Sequence, residues 1–591
     1  MYILGIVEGH NCSAALLKDG EIVAVCFEER LSRLKNDFGF PKQSIDYCLE
    51  YAGIEPKQID HVAMVTTNLP LAQVVVKREA LFSMDDYIRE QELYWKPFLL
   101  EGKNVDYFSI FKDKIVLDDL HYDIQNLNLD RTSFDAFRTI RIETVKKKLE
   151  KNDDQIHMIN HHHAHSMYAI YTAPHCYDRD MLVLASDGYG DDCSASVGIF
   201  KDGMFQFVSK SVGSGIGRLY RYVTLLLGMK PGCDEFKVMG LAPYAKEYHW
   251  RRAYEALQVY LRVKGMEIEF TNPDKDLYFS LKERLKSCRF DGIAAGLQYF
   301  CEDISKQWVE NCINETGINN IVYSGGVSMN IKINKALMEL DSVANIFVGP
   351  SGGDESLSIG AAYSLCNKLY PKTQIQPLKH TYLGPSHSVD SVKKAIENKL
   401  PSGFKIISEP KIDMVADLLA NRYVVARSCG RMEYGARALG NRSILANASD
   451  HRMIRKINDK IKRRDFWMPF APIILKERMK DYVINPKSLS SPYMTMGFDS
   501  TPLAEKHLRA AIHPADDSMR PQILEKNQNA ELYHLIKKYE EKTGMGGLLN
   551  TSFNLHSEPI CASPEDSIKT FLNSDIDALL MNGFLIIRGH E

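Results

Sequence analysis

Residues 2–25 read YILGIV-EGHN-CSAALLKDG-EIVAV, and residues 181–208 read MLVLAS-DGYGDD-CSASVGIFKDG-MFQFV. Each passage gives an apolar run, a polar glycine turn, Cys-Ser-Ala, a second run, Lys-Asp-Gly and a third run. The runs have strand composition, and Asp19-Gly20 and Asp202-Gly203 are two-residue hairpin signals. Two copies of one hairpin nucleus in a single chain are what a duplicated α/β domain leaves behind. The alternative is a chance match of a common hairpin sequence.

In duplicated folds of the actin and sugar-kinase type, the polar turn after the first strand faces a cleft that binds nucleotide phosphates. On that plan Gly9-His10-Asn11 and Asp187-Gly188 face each other. Between the copies lies Asn160-HHHAH-Ser166. His161 and His165 are four apart, so on a helix both imidazoles project from one face as adjacent metal ligands. Asp187 ends an apolar strand, and Asp354 follows strand and glycines in Phe347-VGPSGG-Asp354. An Asp at a strand's carboxyl end points into the ligand crevice of an open α/β sheet. Two His and two Asp form a mixed donor set that suits Fe(II), Mn(II) or Zn(II). The plain alternatives are a polar helix start and Asx turns. Asn320-IVYSGGVSMN-Ile331 is again strand, glycines, helix start, which makes Gly325, Gly326 and Asn330 nucleotide-binding candidates. Asp234-EFKVMGLAPY-Ala245, with Lys237, reads as a cleft loop.

Length and charge bound the class. A chain of 591 residues should build at least two domains. Its 73 Lys+Arg against 76 Asp+Glu provide no global field for nucleic acid or membrane. Twelve Cys without a CxxC pair fit reduced cytosolic thiols. The amino-terminal stretch reads as a first strand, not a signal peptide, and no apolar run approaches the ~20 residues of a membrane helix. The expectation is a soluble, cytoplasmic enzyme. Residues 70–150 interrupt the duplicated pattern with a mixed, largely helical insertion: a substrate lid, a homodimer surface, or ordinary packing.

Prolines 371, 377 and 385 break periodicity around 366–382, which we take as a linker between domains 1–365 and 383–591. Beyond it the charge balance changes. From Arg422 through Arg464 there are twelve Lys/Arg against three Asp/Glu. Arg437 and Arg442 sit among glycines, and Lys462/Arg464 on a strand would share one face. Arg520 and a turn at Asn550-TSF-Asn554 add further anion donors. Guanidinium forks clasp phosphate oxygens bidentately, so a walled phosphate pocket is expected, against a solvated basic face or an RNA surface.

Together these residues resemble one family, ATP-dependent O-carbamoyltransferases of the nodulation/cephamycin/tobramycin type. The motifs are Gly9-HNCS-Ala14, Glu28-Glu29-Arg30, His161 to His165, Lys237-VMGLAP-Tyr244, Gly325-Gly326-Val327, Glu433-YGARALGNR-Ser443, Lys462-Arg463-Arg464, Pro469-FA-Pro472, Asn550-TSF-Asn554 and Glu558-Pro-Ile560. The resemblance implies a duplicated actin-like (ASKHA) amino-terminal domain, similar to the tRNA threonylcarbamoyl-transfer protein. It implies a carboxy-terminal α/β domain similar to threonylcarbamoyl-adenylate synthase (YrdC-like). By the same resemblance His161, His165, Asp187 and Asp354 match iron ligands, and His10 matches a hydroxyl-activating base. Lys462/Arg464 and Ser552/Asn554 match adenylate-forming pairs, while Arg437, Arg442, Arg520 and Asn550 are expected to hold carbamoyl phosphate. Ala436, Met468 and Ser557 depart from the family's usual Pro, Arg and Gly. The Ala loosens a turn without removing a charge, so Arg437 stays a candidate.

The implied chemistry is formation of carbamoyl-adenylate from carbamoyl phosphate and Mg/ATP. Transfer to a hydroxyl of a small metabolite or sugar follows, with no nucleic-acid or membrane partner. Adenylation turns a poor leaving group into AMP, and cations offset the charge that builds on the phosphates. An enclosed passage would protect the adenylate from water. The alternatives are tRNA threonylcarbamoylation, hydrogenase-maturation carbamoylation (the missing CxxC pairs argue against it) and a non-catalytic nucleotide-binding protein.

Overall fold

The computed structural model describes residues 1–66, 71–118, 120–124, 134–174, 176–191, 193–272, 274–462 and 464–589. Arg463 of the basic motif and parts of the 70–150 insertion lie outside them. The chain divides into two compact units, Met1–Leu378 and Lys379–Glu591. The helix Leu357–Leu369 runs past the edge expected at 365, because its residues stay buried through Cys366.

The first unit contains two five-stranded sheets built to one plan. In the first the order is Glu21–Phe27, Ser13–Lys18, Tyr2–Val7, His61–Val65, Ile156–Ile159. In the second it is Met204–Val212, Cys193–Lys201, Met181–Gly190, Asn320–Ser324, Asn345–Val348. In both, the first three strands are an antiparallel meander and the last two run parallel to its innermost strand. The echo in the sequence is thus a repeat in topology. Both hairpins turn through two residues of positive φ, Asp19 (48°) and Gly20 (87°), then Asp202 (51°) and Gly203 (75°). Such a turn matches the twist of the strands it joins.

Tyr2–Val7 is central and buried beyond its first residue, as a strand covered on both faces must be. The helix Leu357–Leu369 lies so close to it that a Cβ on Gly5 would stand 1.9 Å from the Ser358 carbonyl oxygen. A Cβ on Gly360 would likewise meet the Ala164 carbonyl at 1.9 Å, so the same helix is pressed against His161–Thr172. Backbone contact of this kind fixes the histidine helix relative to the first sheet. The described part of the insertion contains helices Arg78–Leu81, Met84–Glu90 and Phe134–Leu149, and a core containing Tyr87, Tyr94, Tyr107 and Phe111.

The second unit is built on an eight-stranded mixed sheet. Its order is Phe404–Ser408, Phe584–Arg588, Ala578–Met581, Val425–Ser428, Arg442–Ala446, Gly547–Ser552, Ala471–Leu475, Gln522–Leu524. The two middle strands, 425–428 and 442–446, are buried at every position. Among the described residues no helix is long and apolar enough to cross a membrane.

Four local expectations differ from the structure. Residues 234–245 are not a loop: Glu235–Leu241 is helical and Ala242–Tyr244 a 3₁₀ turn, with Pro243 in the first turn, where its missing N–H costs nothing. Lys462 closes a π-helical turn, Asn458–Lys462, that prolongs Arg452–Ile457, so no strand aligns it with Arg464. Asn550 belongs to the strand Gly547–Ser552, and the chain turns only beyond it. Asp187 lies within Met181–Gly190, where pairing with the next strand becomes irregular between Ser186 and Gly190.

Candidate functional site

The histidine helix starts where Asn160 accepts the His163 N–H at 2.9 Å, satisfying a backbone donor that the first turn leaves open. Its four imidazoles then divide. His162 is used internally, with Nδ1 on Ser196 Oγ and Nε2 on the Cys193 carbonyl, both 3.1 Å, and burial lowers its pKa to about 3. His163 meets Ser364 Oγ at 2.8 Å, and burial with Lys210 lowers it to about 4. His161 and His165 instead face two carboxylates. His161 Nε2 is 3.2 Å from Asp187 Oδ2 and 3.6 Å from Asp354 Oδ1; His165 Nε2 is 3.9 and 3.6 Å from the same atoms.

One ligand atom from each of the four residues lies within 4.8 Å of all the others. The last two distances exceed a hydrogen bond, and His165 Nε2 is buried without a hydrogen-bond partner. Burial opposes charge on His165, yet Asp187 and Asp354 raise its pKa to about 9. Burial also pushes Asp187 up, and His161 and His165 outweigh it, holding the carboxyl well below the usual range. Two imidazole nitrogens, two carboxylates and a buried orphan nitrogen fit a divalent cation.

The groups behind the cluster are equally specific. His165 Nδ1 meets Ser324 Oγ at 3.2 Å, and Asp187 Oδ1 accepts the Gly326 N–H at 2.9 Å. Such partners orient metal ligands. Gly325 has φ 88°, and a Cβ there would stand 2.1 Å from the Ser186 carbonyl oxygen. The amide of Gly326 therefore serves a carboxylate of the cluster. Asn330 caps the helix Ile331–Met338 through its Oδ1 and donates to Gln298 at 2.8 Å. Lys237 pairs with Asp234 at 3.2 Å. His10 stands in the turn after the first strand, and neighbouring Asn11 reaches Glu355, next to Asp354, at 3.5 Å.

In the second unit Lys462 Nζ donates to Ser552 Oγ (3.3 Å), Asn554 Oδ1 (2.6 Å) and the Asn554 carbonyl (3.0 Å). Arg464 donates to Thr551 Oγ1 at 3.1 Å and lies over the Phe470 ring. Arg437, Arg464 and Arg520 converge: burial, then the charges of Arg437 and Arg464, depress Arg520 far below a normal arginine. Burial and Arg437 likewise lower Arg464 to about 10. Guanidiniums gathered in this way have the donors and charge that suit an anion. Arg442 is directed elsewhere, donating to the carbonyls of Cys429 (3.2 Å), Gly430 (3.3 Å), Asn441 (3.0 Å) and Pro385 (3.2 Å). Asn550 Nδ2 donates to the Ala438 carbonyl at 2.7 Å, and its buried Oδ1 has no hydrogen-bond partner.

Sequence reasoning missed Glu79, which approaches His10, and Glu302, a carboxyl that burial raises to about 7 beside Gln298. Neither lies in a motif. Only the helical periodicity around each could have marked them as inward-facing.

An α/β enzyme with a buried imidazole–carboxylate cluster in one unit and an arginine cluster in the other is the class defined so far. The Carbamoyltransferase N-terminus family matches residues 2–363 and the Carbamoyltransferase C-terminus family residues 416–588, so the chain belongs to the carbamoyltransferases and is an enzyme of that kind. An uncharacterized protein of Methanocaldococcus jannaschii is 32% identical over 99% of both chains. Nodulation protein NolNO of Sinorhizobium fredii is 29% identical over 98% of this chain and 79% of its own. Among solved structures, full-length HypF in its phosphate- and nucleotide-bound form gives a TM-score of 0.29 at 17% identity, covering 41% of this chain and 51% of that one. That score is too low to carry an argument.

Proposed function

We propose that the enzyme is a cytoplasmic O-carbamoyltransferase that activates its carbamoyl group with ATP and delivers it to a hydroxyl of a small metabolite or sugar. Carbamoyl phosphate and water give carbamate and phosphate; carbamate and ATP give carbamoyl-adenylate and pyrophosphate. The acceptor oxygen then attacks the carbamoyl carbon, AMP leaves with the bond's electron pair, and the hydroxyl proton passes to a base. The convergence of Arg437, Arg464 and Arg520, in which Arg437 acts on both of the others and Arg464 on Arg520, carries this reading. A site so rich in cations suits the phosphates of both donors and offsets charge as pyrophosphate departs. Lys462, gathered by Ser552 and Asn554, is held beside it.

The first unit is the transfer site in this reading, similar to actin-like phosphate-binding folds, and the second is similar to adenylate-forming (YrdC-like) domains. His161, His165, Asp187 and Asp354 would hold the divalent cation, iron by family resemblance, and the ion supplies Lewis acidity toward phosphate or carbonyl oxygen. His10 takes the acceptor's proton, an effect of ~10²–10⁴-fold for a positioned base.

Lys462→Ala should abolish pyrophosphate release from ATP and carbamoyl phosphate. His10→Ala should retain it and lose transfer, followed by mass spectrometry on a panel of hydroxylated metabolites. Equal loss of both half-reactions in both variants would contradict the division of labour.

A further inference from the structure

The proposed base has a neighbour from outside every motif. His10 Nδ1 is buried, lacks a hydrogen-bond partner and lies 4.0 Å from Glu79 Oε2. Glu79 comes from Arg78–Leu81 in the insertion, whose part in the enzyme the sequence leaves open. Its two oxygens are treated differently. Oε1 accepts Arg78 Nη1 and Arg221 Nη2, both at 2.8 Å. Oε2 accepts the Tyr87 hydroxyl at 2.9 Å and faces His10. Gly232 leaves room for this: a Cβ on it would stand 2.7 Å from Oε2. Glu235, the other carboxylate whose charge reaches His10, is occupied by the Gly232 N–H at 2.6 Å.

From this geometry we infer that Glu79 is the positioning residue that holds the proton of neutral His10 on Nδ1, leaving the Nε2 lone pair to accept the acceptor's proton. The inference rests on the reading of His10 as the base. An ionised carboxylate can only accept, so an imidazole turned toward it must present N–H. Burial alone would protonate Glu79, but Arg221 and Arg78 hold its carboxyl well below the usual range, so it stays an acceptor at neutral pH. The 4.0 Å gap is longer than a hydrogen bond, and the 28% exposure of the His10 side chain leaves it room to approach Glu79. Catalytic hydrogen bonds often stand long until substrate closes on the site. Nε2 is 3.4 Å from Asn11 Nδ2, which can donate to a bare nitrogen there but cannot accept from an N–H.

The asymmetry of the two oxygens gives Glu79→Gln an unusual consequence. The two guanidiniums select the amide oxygen at the Oε1 position, which turns the amide NH₂ toward His10 Nδ1. A donor there forces Nδ1 to accept and moves the imidazole proton to Nε2, so the base is lost without loss of side-chain volume.

The experiment is nitrogen NMR of the full-length protein labelled with ¹⁵N-histidine, at a pH of about 8, where an ordinary imidazole is neutral. His10→Gln assigns the His10 signals. The expected parent spectrum has His10 protonated at Nδ1, and Glu79→Gln exchanges the two nitrogens' signatures while the other histidines stay where they were. A parent His10 protonated at Nε2 overturns the inference, whether or not the variant folds. So does a folded Glu79→Gln protein in which the proton remains on Nδ1. Full transfer activity in His10→Ala would instead remove the base reading and leave the tautomer result standing.

Discussion

The two clusters are built on opposite electrostatic principles. In Met1–Leu378 two imidazoles face two carboxylates, and the apposition raises the pKa of His165 to about 9 while depressing Asp187. In Lys379–Glu591 three guanidiniums come together: after burial, Arg437 weakens the hold of Arg464 on its proton, and Arg437 and Arg464 weaken that of Arg520. The first can be satisfied provisionally by its own protons; the second gathers like charges, which a bound anion would offset. Ligand-free protein should therefore tolerate the first cluster and be strained by the second.

The largest expected effect tests the first half of that contrast. Asp187→Asn keeps shape and removes the carboxylate that lies 3.2 Å from His161 and 3.9 Å from His165. Affinity for Fe(II), Mn(II) or Zn(II), measured by competition with a chelator, should fall on the order of 10²-fold or more, beyond the usual loss of an outer-shell partner. His162→Gln, on the same helix but bonded to Ser196 and Cys193, should bind metal as the parent does. Equal losses in both variants would show that the helix and not the ligand set is being tested.

The duplicated topology was legible because hairpin turns are local: Asp-Gly determines its own φ and the strands follow. The gathering of His161, His165, Asp187 and Asp354 was legible for a similar reason, since i,i+4 spacing on a helix and an Asp at a strand's end are short-range patterns. What escaped was tertiary. Nothing near Lys462 announces that its cation will be taken by Ser552 and Asn554, ninety residues on, from the end of a π-helical turn. Nothing around Arg442 separates it from Arg437, yet one guanidinium is directed to four backbone carbonyls and the other repels Arg464. Glu79 is the clearest case, because its partners Arg221 and His10 lie 142 and 69 positions away along the chain.

A smaller effect sharpens the account of how the first cluster is held. A Cβ on Gly190 would fall 2.3–2.7 Å from the His161 ring, whereas one on Gly188 would meet nothing within 4 Å. Gly190→Ala must displace the imidazole and should weaken metal binding on the order of tenfold, since a ligand moved is less costly than a ligand lost. Gly188→Ala should leave binding unchanged. Indistinguishable titrations would mean that His161 has more freedom than its burial suggests.

The smallest effect bears on the second cluster and has an unusual sign. Replacing a polar residue at a binding site normally leaves stability unchanged or lowers it. Arg520→Leu removes the member most affected by its neighbours, a half-buried cation that burial and two like charges disfavour. Without anion, the variant should be more stable than the parent by about 1 kcal/mol, the scale at which a single charge contact counts outside a core. In a domain of this size that raises the melting temperature by about 2–4 °C. Inorganic phosphate should then reverse the ranking: it stabilises the parent by binding among Arg437, Arg464 and Arg520, and the variant much less, because a ligand shifts unfolding only as far as it binds the folded state. Calorimetric scans with and without phosphate read both halves. A variant less stable without phosphate, or one that gains as much from phosphate as the parent, would mean that the three arginines are internally compensated and that the anion site lies elsewhere.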